Sequence, residues 1–108
     1  MSSPTSKTLA ECKKRGWTAG IVERRLTRFV MQDFLGCIDI IAITPGGIVG
    51  IQATSGSNHA ARVSKSRAEP RLAAWLGAGC TFAVWSWAKR GPRGKRKLWA
   101  LREESVSP

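Results

Sequence analysis

The chain has 108 residues, of which 18 are Lys or Arg and only 7 are Asp or Glu, giving a formal charge of +11. That length admits one domain with a modest core and excludes two, and so one-sided a charge points to a polyanionic partner, nucleic acid or an anionic membrane. A single histidine and three scattered cysteines, Cys12, Cys37 and Cys80, exclude a multi-histidine metal site, a zinc knuckle and a disulfide framework.

No apolar run is long enough for a transmembrane helix, and residues 1–6 lack the apolar segment of a signal peptide. The expectation is a soluble, cytoplasmic protein with no membrane partner, its cysteines serving as small buried hydrophobes in a reducing compartment. Residues 1–5 and 103–108 are expected to be disordered tails around one domain. Thr5 or Ser6 is expected to cap a first helix reaching about Arg15, with Leu9 and Cys12 inward and Gly16 as terminator. Residues 17–23 read as a first strand that enters a basic loop carrying Arg24, Arg25 and Arg28.

Strands two and three form a hairpin, Asp39-Ile40-Ile41-Ala42-Ile43-Thr44 and Ile48-Val49-Gly50-Ile51-Gln52-Ala53-Thr54, joined through Pro45-Gly46-Gly47. With Gly46-Gly47 as the central turn residues, Pro45 falls across from Ile48, Ile41 across from Gln52 and Asp39 across from Thr54. The period-two alternation of strands then brings Asp39, Gln52 and Thr54 out on one face at one end of the hairpin. A carboxylate among isoleucines costs several kcal/mol, roughly, unless a cation or hydrogen-bond donors compensate. Asp39 is therefore either a cation ligand facing a polyanion, or a loop cap or arginine partner.

Ser57 or Asn58 is expected to cap a second helix bearing Arg62 and Lys65, which Pro70 breaks or restarts before Leu72, Trp75 and Leu76. Residues 81–87 are an apolar, β-branched and aromatic strand, and residues 97–102 a shorter partner. Between them Lys89, Arg90, Arg93, Lys95, Arg96 and Lys97 place six cations in nine residues, a pattern suited to backbone phosphates. Trp85, Trp87 and Trp99 offer either an aromatic platform for unpaired bases or core and dimer packing.

Taken in order, Gly-x-x-Asp ending at Asp39, an apolar strand, a turn, an apolar strand and Gln52-x-Thr54, followed by Asn58-His59-x-x-Arg62 and Trp85-x-Trp87 before a basic hairpin, the chain resembles the PD-(D/E)XK nuclease superfamily. It is similar in particular to the small phage and prophage proteins described as Holliday junction resolvase-like. The resemblance covers the chain from about Leu9 to Arg102 and implies an α/β (α+β) restriction-endonuclease-like fold, with an αβββαβ core and a mixed central sheet flanked by helices. It also implies Mg²⁺, or Mn²⁺, held by Asp39 in the first acid position and Gln52 in the second, with the Ala53 carbonyl beside them. Thr54 occupies the position of the usual lysine, a departure from the pattern.

Several residues are candidates to complete such a site. Glu23 and Asp33 are either further metal ligands or, respectively, an ion-pair partner of Arg24 or Arg25 and a turn cap. Arg62 and Lys65, one helical face with Asn58, are candidates for the missing lysine function or for simple phosphate contact. His59 is either a phosphate donor or a packing residue. The resulting expectation is Mg²⁺-dependent phosphodiester hydrolysis of double-stranded or branched DNA by a homodimer. The alternatives are a DNA-binding module of the same fold without chemistry and, on charge alone, an RNA-binding or membrane-surface protein.

Overall fold

A computed structural model describes residues 3–107. Pro at the first helical position is favoured, because its missing N–H would be unpaired there anyway, and this moves the first cap from the expected Thr5 or Ser6 to Ser3. The Ser3 hydroxyl accepts the Ser6 N–H at 3.1 Å, and helix α1 spans Pro4–Lys14. Strand β1 (Thr18–Ile21) follows; then a separate two-stranded ribbon of β2 (Arg24–Arg25) and β3 (Met31–Gln32) replaces the expected loop. The hairpin comprises β4 (Ile40–Thr44) and β5 (Gly47–Ser55). A 3₁₀ turn at Gly56–Asn58 leads into α2 (His59–Arg67) and α3 (Leu72–Gly77), and β6 (Thr81–Arg90) and β7 (Leu98–Ser105) complete the chain.

The five-stranded sheet has the order β1-β4-β5-β6-β7. Only β5 and β6 run parallel, and the crossover between them carries α2 and α3; every other pair is antiparallel. The molecule is thus α+β with a mixed sheet between helices. Helix α1 covers one face, where Cys12 packs with Ile40, Ala42, Ile51, Ala83 and Trp85. Helices α2 and α3 cover the other, where Val63 and Leu72 pack with Cys37, Ile38, Phe82, Val84 and Val106. Gly50 is required on that second face, since a Cβ there would lie 2.8 Å from Ile38 and 3.2 Å from Trp75.

The hairpin turn differs from the expectation in register. Thr44 pairs with Gly47, so Pro45 and Gly46, rather than Gly46 and Gly47, are central. Proline is pre-set for the first central position, and the Thr44 hydroxyl accepts the Gly46 N–H at 3.1 Å while donating to the Gly47 carbonyl at 2.9 Å. The pairing consequently slides by two residues, with Ile41 opposite Gly50 instead of Gln52. Because the side-chain period is also two, this slide leaves every residue on its expected face.

The expected C-terminal tail is a correction of larger consequence. Residues 103–105 belong to β7, and Val106, 3 % exposed, sits in the core with its N–H on the Phe82 carbonyl at 2.9 Å. Arg15 clamps Glu103 through two bonds of 2.9 and 2.8 Å. At the other end helix α1 orders residues from Pro4 onward, while Met1, Ser2 and Pro108 lie outside the described residues. Val106→Ala is expected to cost about 1–3 kcal/mol in a denaturant titration, whereas a mobile tail would show no change.

Candidate metal centre

One end of the sheet gathers the ionisable residues of interest. The C-terminal ends of β1, β5 and β6 and the N-terminal ends of β4 and β7 all lie there, as their pairing directions require. Just beyond β4, the Asp39 N–H binds the Ile51 carbonyl at 2.9 Å and the Asp39 carbonyl accepts the Val22 N–H at 2.8 Å. Asp39 is therefore bracketed by the chain leaving β1 and by β5, beside Gln52. The Gln52 Nε2 donates to Asp39 Oδ2 at 2.7 Å, and the Ala53 N–H donates to the same oxygen at 3.0 Å. A strand residue presents its N–H and C=O on one edge, so the Ala53 carbonyl also faces the Asp39 side.

Asp33 arrives by a tight reversal. Phe34 and Ile38 form an antiparallel bridge, with both N–H···O contacts at 2.9 Å, which sets Asp33 and Asp39 on the next rung. The reversal uses two successive left-handed residues, Leu35 at φ 55° and Gly36 at φ 74°. A leucine there stores backbone strain of a kind that clusters at functional sites. Gly36 is favoured there by its positive φ, and a Cβ would in addition displace the flexible ends of Glu69 and Arg71, 2.7 and 2.9 Å away. Glu23, following Val22, completes the group: one oxygen from each of Glu23, Asp33 and Asp39 lies within 4.8 Å of the others.

The electrostatics of this trio run against the rest of the chain. Of the seven acids, Glu11 and Glu103 pair with Arg15, Glu69 with Arg71, and Glu104 with His59 and Arg102. Among the described residues Glu23, Asp33 and Asp39 take part in none of these ion pairs, although Lys and Arg outnumber acids 18 to 7. Burial, then the hydrogen bond and negative charge of Asp33, push Asp39 up to about 8 against the opposing Ala53 N–H, and Glu23 adds to the rise. Burial and the Asp33 charge likewise raise Glu23. Asp39 and Gln52 are each 4 % exposed, and Gln52 Oε1 has no hydrogen-bond partner among the described residues. Crowded carboxylates and an orphaned amide oxygen form an all-oxygen donor set that fits a hard divalent cation such as Mg²⁺ or Mn²⁺.

The other expected site residues are distributed unequally. Thr54 is buried next to Ser86 in the parallel register and brings a hydroxyl, not a cation, to the site face. Arg62 is half-buried and Lys65 exposed on α2. Hydrogen bonds from Arg71 hold Glu69 low and burial pushes Cys37 up to about 11, with the Lys65 charge a minor contributor to the electrostatics of both. His59 is a correction to the phosphate-donor reading. It is 2 % exposed, with Nδ1 on the Ser86 hydroxyl at 2.6 Å and Nε2 on Glu104 at 2.9 Å, so both ring nitrogens are committed inside the fold.

The basic segments emerge at the sheet end that holds the trio. Arg24, Arg25 and Arg28 are exposed on the ribbon that leaves Glu23 and returns to Asp33. Lys89 and Arg90 end β6, and Arg93, Lys95, Arg96 and Lys97 occupy the exposed link to β7. The tryptophans divide. Trp85 is core, 6.0 Å from Trp17 between ring centres, and Trp87 donates to the Thr8 hydroxyl at 3.0 Å. Trp99 is exposed on the α1 face between Lys7 and Lys89, at 3.9 and 5.5 Å from its ring centre.

Two features escaped the sequence reading. Glu104 and Ser86 hold His59, and the alternation Leu98-x-Ala100 continuing to Glu104-x-Val106 was the available signal for a longer β7. The other is the apolar tip of the ribbon, foreshadowed by Phe29-Val30-Met31 amid arginines. Among the described residues no helix is long and apolar enough to cross a membrane. No protein-family model matches the chain, nor does any curated protein or any solved structure.

Proposed function

We propose that this protein is a Mg²⁺- or Mn²⁺-dependent DNA endonuclease of the PD-(D/E)XK kind. The observation that carries the proposal is the segregation of acids: in a chain of charge +11, the three carboxylates that form no ion pair among the described residues converge beside an orphaned Gln52 Oε1. The element order supports it too, since α1, the antiparallel β1-β4-β5 meander, α2 and the parallel β6 form an αβββαβ arrangement with Asp39 and Gln52 at the hairpin base. Asp39, Asp33 and Glu23 would hold the ion, with Gln52 Oε1 and the Ala53 carbonyl available to complete its shell. A bound divalent ion supplies a water of lowered pKa and neutralises phosphate charge.

The protein's own groups perform the remaining tasks. The Ala53 N–H and Gln52 amide fix the orientation of the Asp39 carboxylate. Lys65, in place of the cation that Thr54 does not provide, meets charge developing on the phosphate. Arginines of the ribbon and cations of the β6–β7 link hold the DNA backbone on either side. Two cuts across a two-fold substrate require two such sites, hence a homodimer.

Supercoiled plasmid and a four-way junction incubated with Mg²⁺ or Mn²⁺ should be nicked, EDTA should abolish nicking, and Asp33→Asn should lower it by about 100-fold or more. Tight DNA binding without nicking under any of these conditions would instead select the second reading, a non-catalytic DNA-binding module, which the hydroxyl of Thr54 at the lysine position favours.

A further inference from the structure

The ribbon that carries Arg24, Arg25 and Arg28 has an unusual root and an unusual tip. Its root is the metal centre itself, because Glu23 immediately precedes β2 and Asp33 immediately follows β3. Its tip is apolar and exposed. Phe29 is 89 % exposed, and Leu26, Val30 and Met31 are exposed around it. Between Arg24 and Gln32 the sequence has no acid. A solvated aromatic ring of this kind gains nothing for the isolated fold, and the arginines around it, on a chain of charge +11, disfavour a second copy of the chain as its cover.

The tip is also held in shape. Leu26 and Thr27 donate their N–H groups to the Val30 carbonyl at 2.9 and 3.3 Å, and the Thr27 hydroxyl accepts the Phe29 N–H at 3.2 Å. Phe29 therefore projects from a closed turn. Arginines flanking an apolar side chain are the pairing that binds DNA phosphates while wedging a base step open.

We infer that this ribbon is a DNA-deforming arm, with Phe29 inserted between bases of the strand whose scissile phosphate lies at the Glu23–Asp33–Asp39 centre. The inference rests on the endonuclease reading and adds to it a recognition device, an arm that favours DNA whose stacking is already weakened, at a branch or flexible step, over regular duplex. Phe29 precedes Asp33 by four residues, which at strand spacing spans about 13 Å. With about 3.4 Å per nucleotide along one strand, the disturbed step lies about four nucleotides from the cut. Unstacking costs less where pairing is already broken, which gives the arm its selectivity.

The test uses four-way junction and linear duplex DNA carrying 2-aminopurine at successive positions, bound by the full chain in Ca²⁺ in place of Mg²⁺. Wild-type protein should raise the fluorescence at a position about four nucleotides from the mapped cut. Phe29→Ala should remove that rise and reduce the junction-over-duplex preference about tenfold, Phe29→Trp should retain both, and duplex affinity should stay within about threefold because the phosphate contacts remain. An exposed position makes loss of folding no explanation for the effect. Fluorescence unchanged on binding, in a protein that nicks DNA, overturns the arm and leaves the endonuclease reading standing. Fluorescence that rises through Phe29 without nicking in any metal keeps the arm and removes the hydrolase. A dimer that Phe29→Ala dissociates, or phosphatidylserine vesicles bound through Phe29, with no change in base stacking, would give the tip to a second copy or a membrane and overturn the inference.

Discussion

Replacing Asp39 by asparagine is expected to stabilise the metal-free protein by about 1–3 kcal/mol near pH 8 while abolishing both nicking and the stabilisation that divalent ions confer. The carboxyl is held by donors to a single oxygen, from Gln52 Nε2 and the Ala53 N–H. An asparagine carbonyl accepts both bonds, and its NH₂ faces Asp33 as a donor where the wild-type protein places a second carboxylate. The pH dependence fixes the sign. Asp39 has an ordinary value of 3.8 and is raised to about 8 in the fold. Below about pH 4 both folded and unfolded chains carry the proton and the full stability is present. As pH rises the unfolded chain releases it first, so wild-type stability in EDTA falls from about pH 4 until the folded group also ionises near 8. Thermal melts at pH 5 and pH 8 should show this fall in wild type and a much smaller one in Asp39→Asn. Millimolar Mn²⁺ should restore wild type at pH 8 by binding only the folded state and leave the variant unmoved. An asparagine variant less stable than wild type at both pH values would mean that Asp39 is a structural carboxylate.

The face shared by Asp39 and Gln52 was legible in sequence because parity is robust: a wrong turn centre displaced the register by two residues and changed no side chain's direction. The convergence of Glu23 and Asp33 on Asp39 was legible only as an option. It depends on the Phe34–Ile38 bridge and on Leu35 adopting a left-handed conformation that leucine disfavours, and local preference gives no hint of either. Charge patterning misled at the C-terminus. Glu103-Glu104 reads as the start of a solvated tail, yet Glu103 meets Arg15 and Glu104 meets His59 across long sequence separations. The same pairing explains why His59, the one histidine, is a packing residue: its ring is buried and held by Ser86 and Glu104, partners that only the tertiary fold supplies.

Gln52→Glu offers the opposite perturbation to Asp39→Asn, and the two together distinguish a metal centre from a hydrogen-bonded core. In wild type the amide makes a 2.7 Å bond to Asp39 Oδ2 and keeps Oε1 unpartnered. A glutamate there gives two carboxyls at hydrogen-bond distance, which can share one proton but not both ionise without a cation. In EDTA the variant should lose about 3 kcal/mol or more relative to wild type at pH 8 and much less at pH 5, where the shared proton remains. A fourth charged oxygen at a site already built from Glu23, Asp33 and Asp39 should in turn raise the affinity for Mn²⁺ by about tenfold, since ligand charge sets the strength of hard-cation sites. Nicking should then saturate at a correspondingly lower metal concentration. Gln52→Leu separates the contributions: it removes the donor to Asp39 and the orphaned oxygen at once, so it should weaken metal binding while keeping the wild-type fall that Asp39 causes between pH 5 and 8, without the additional loss of the glutamate variant. A glutamate variant that is destabilised yet gains no metal affinity would show that Gln52 only braces Asp39, and the ion, if any, would be held by the trio alone.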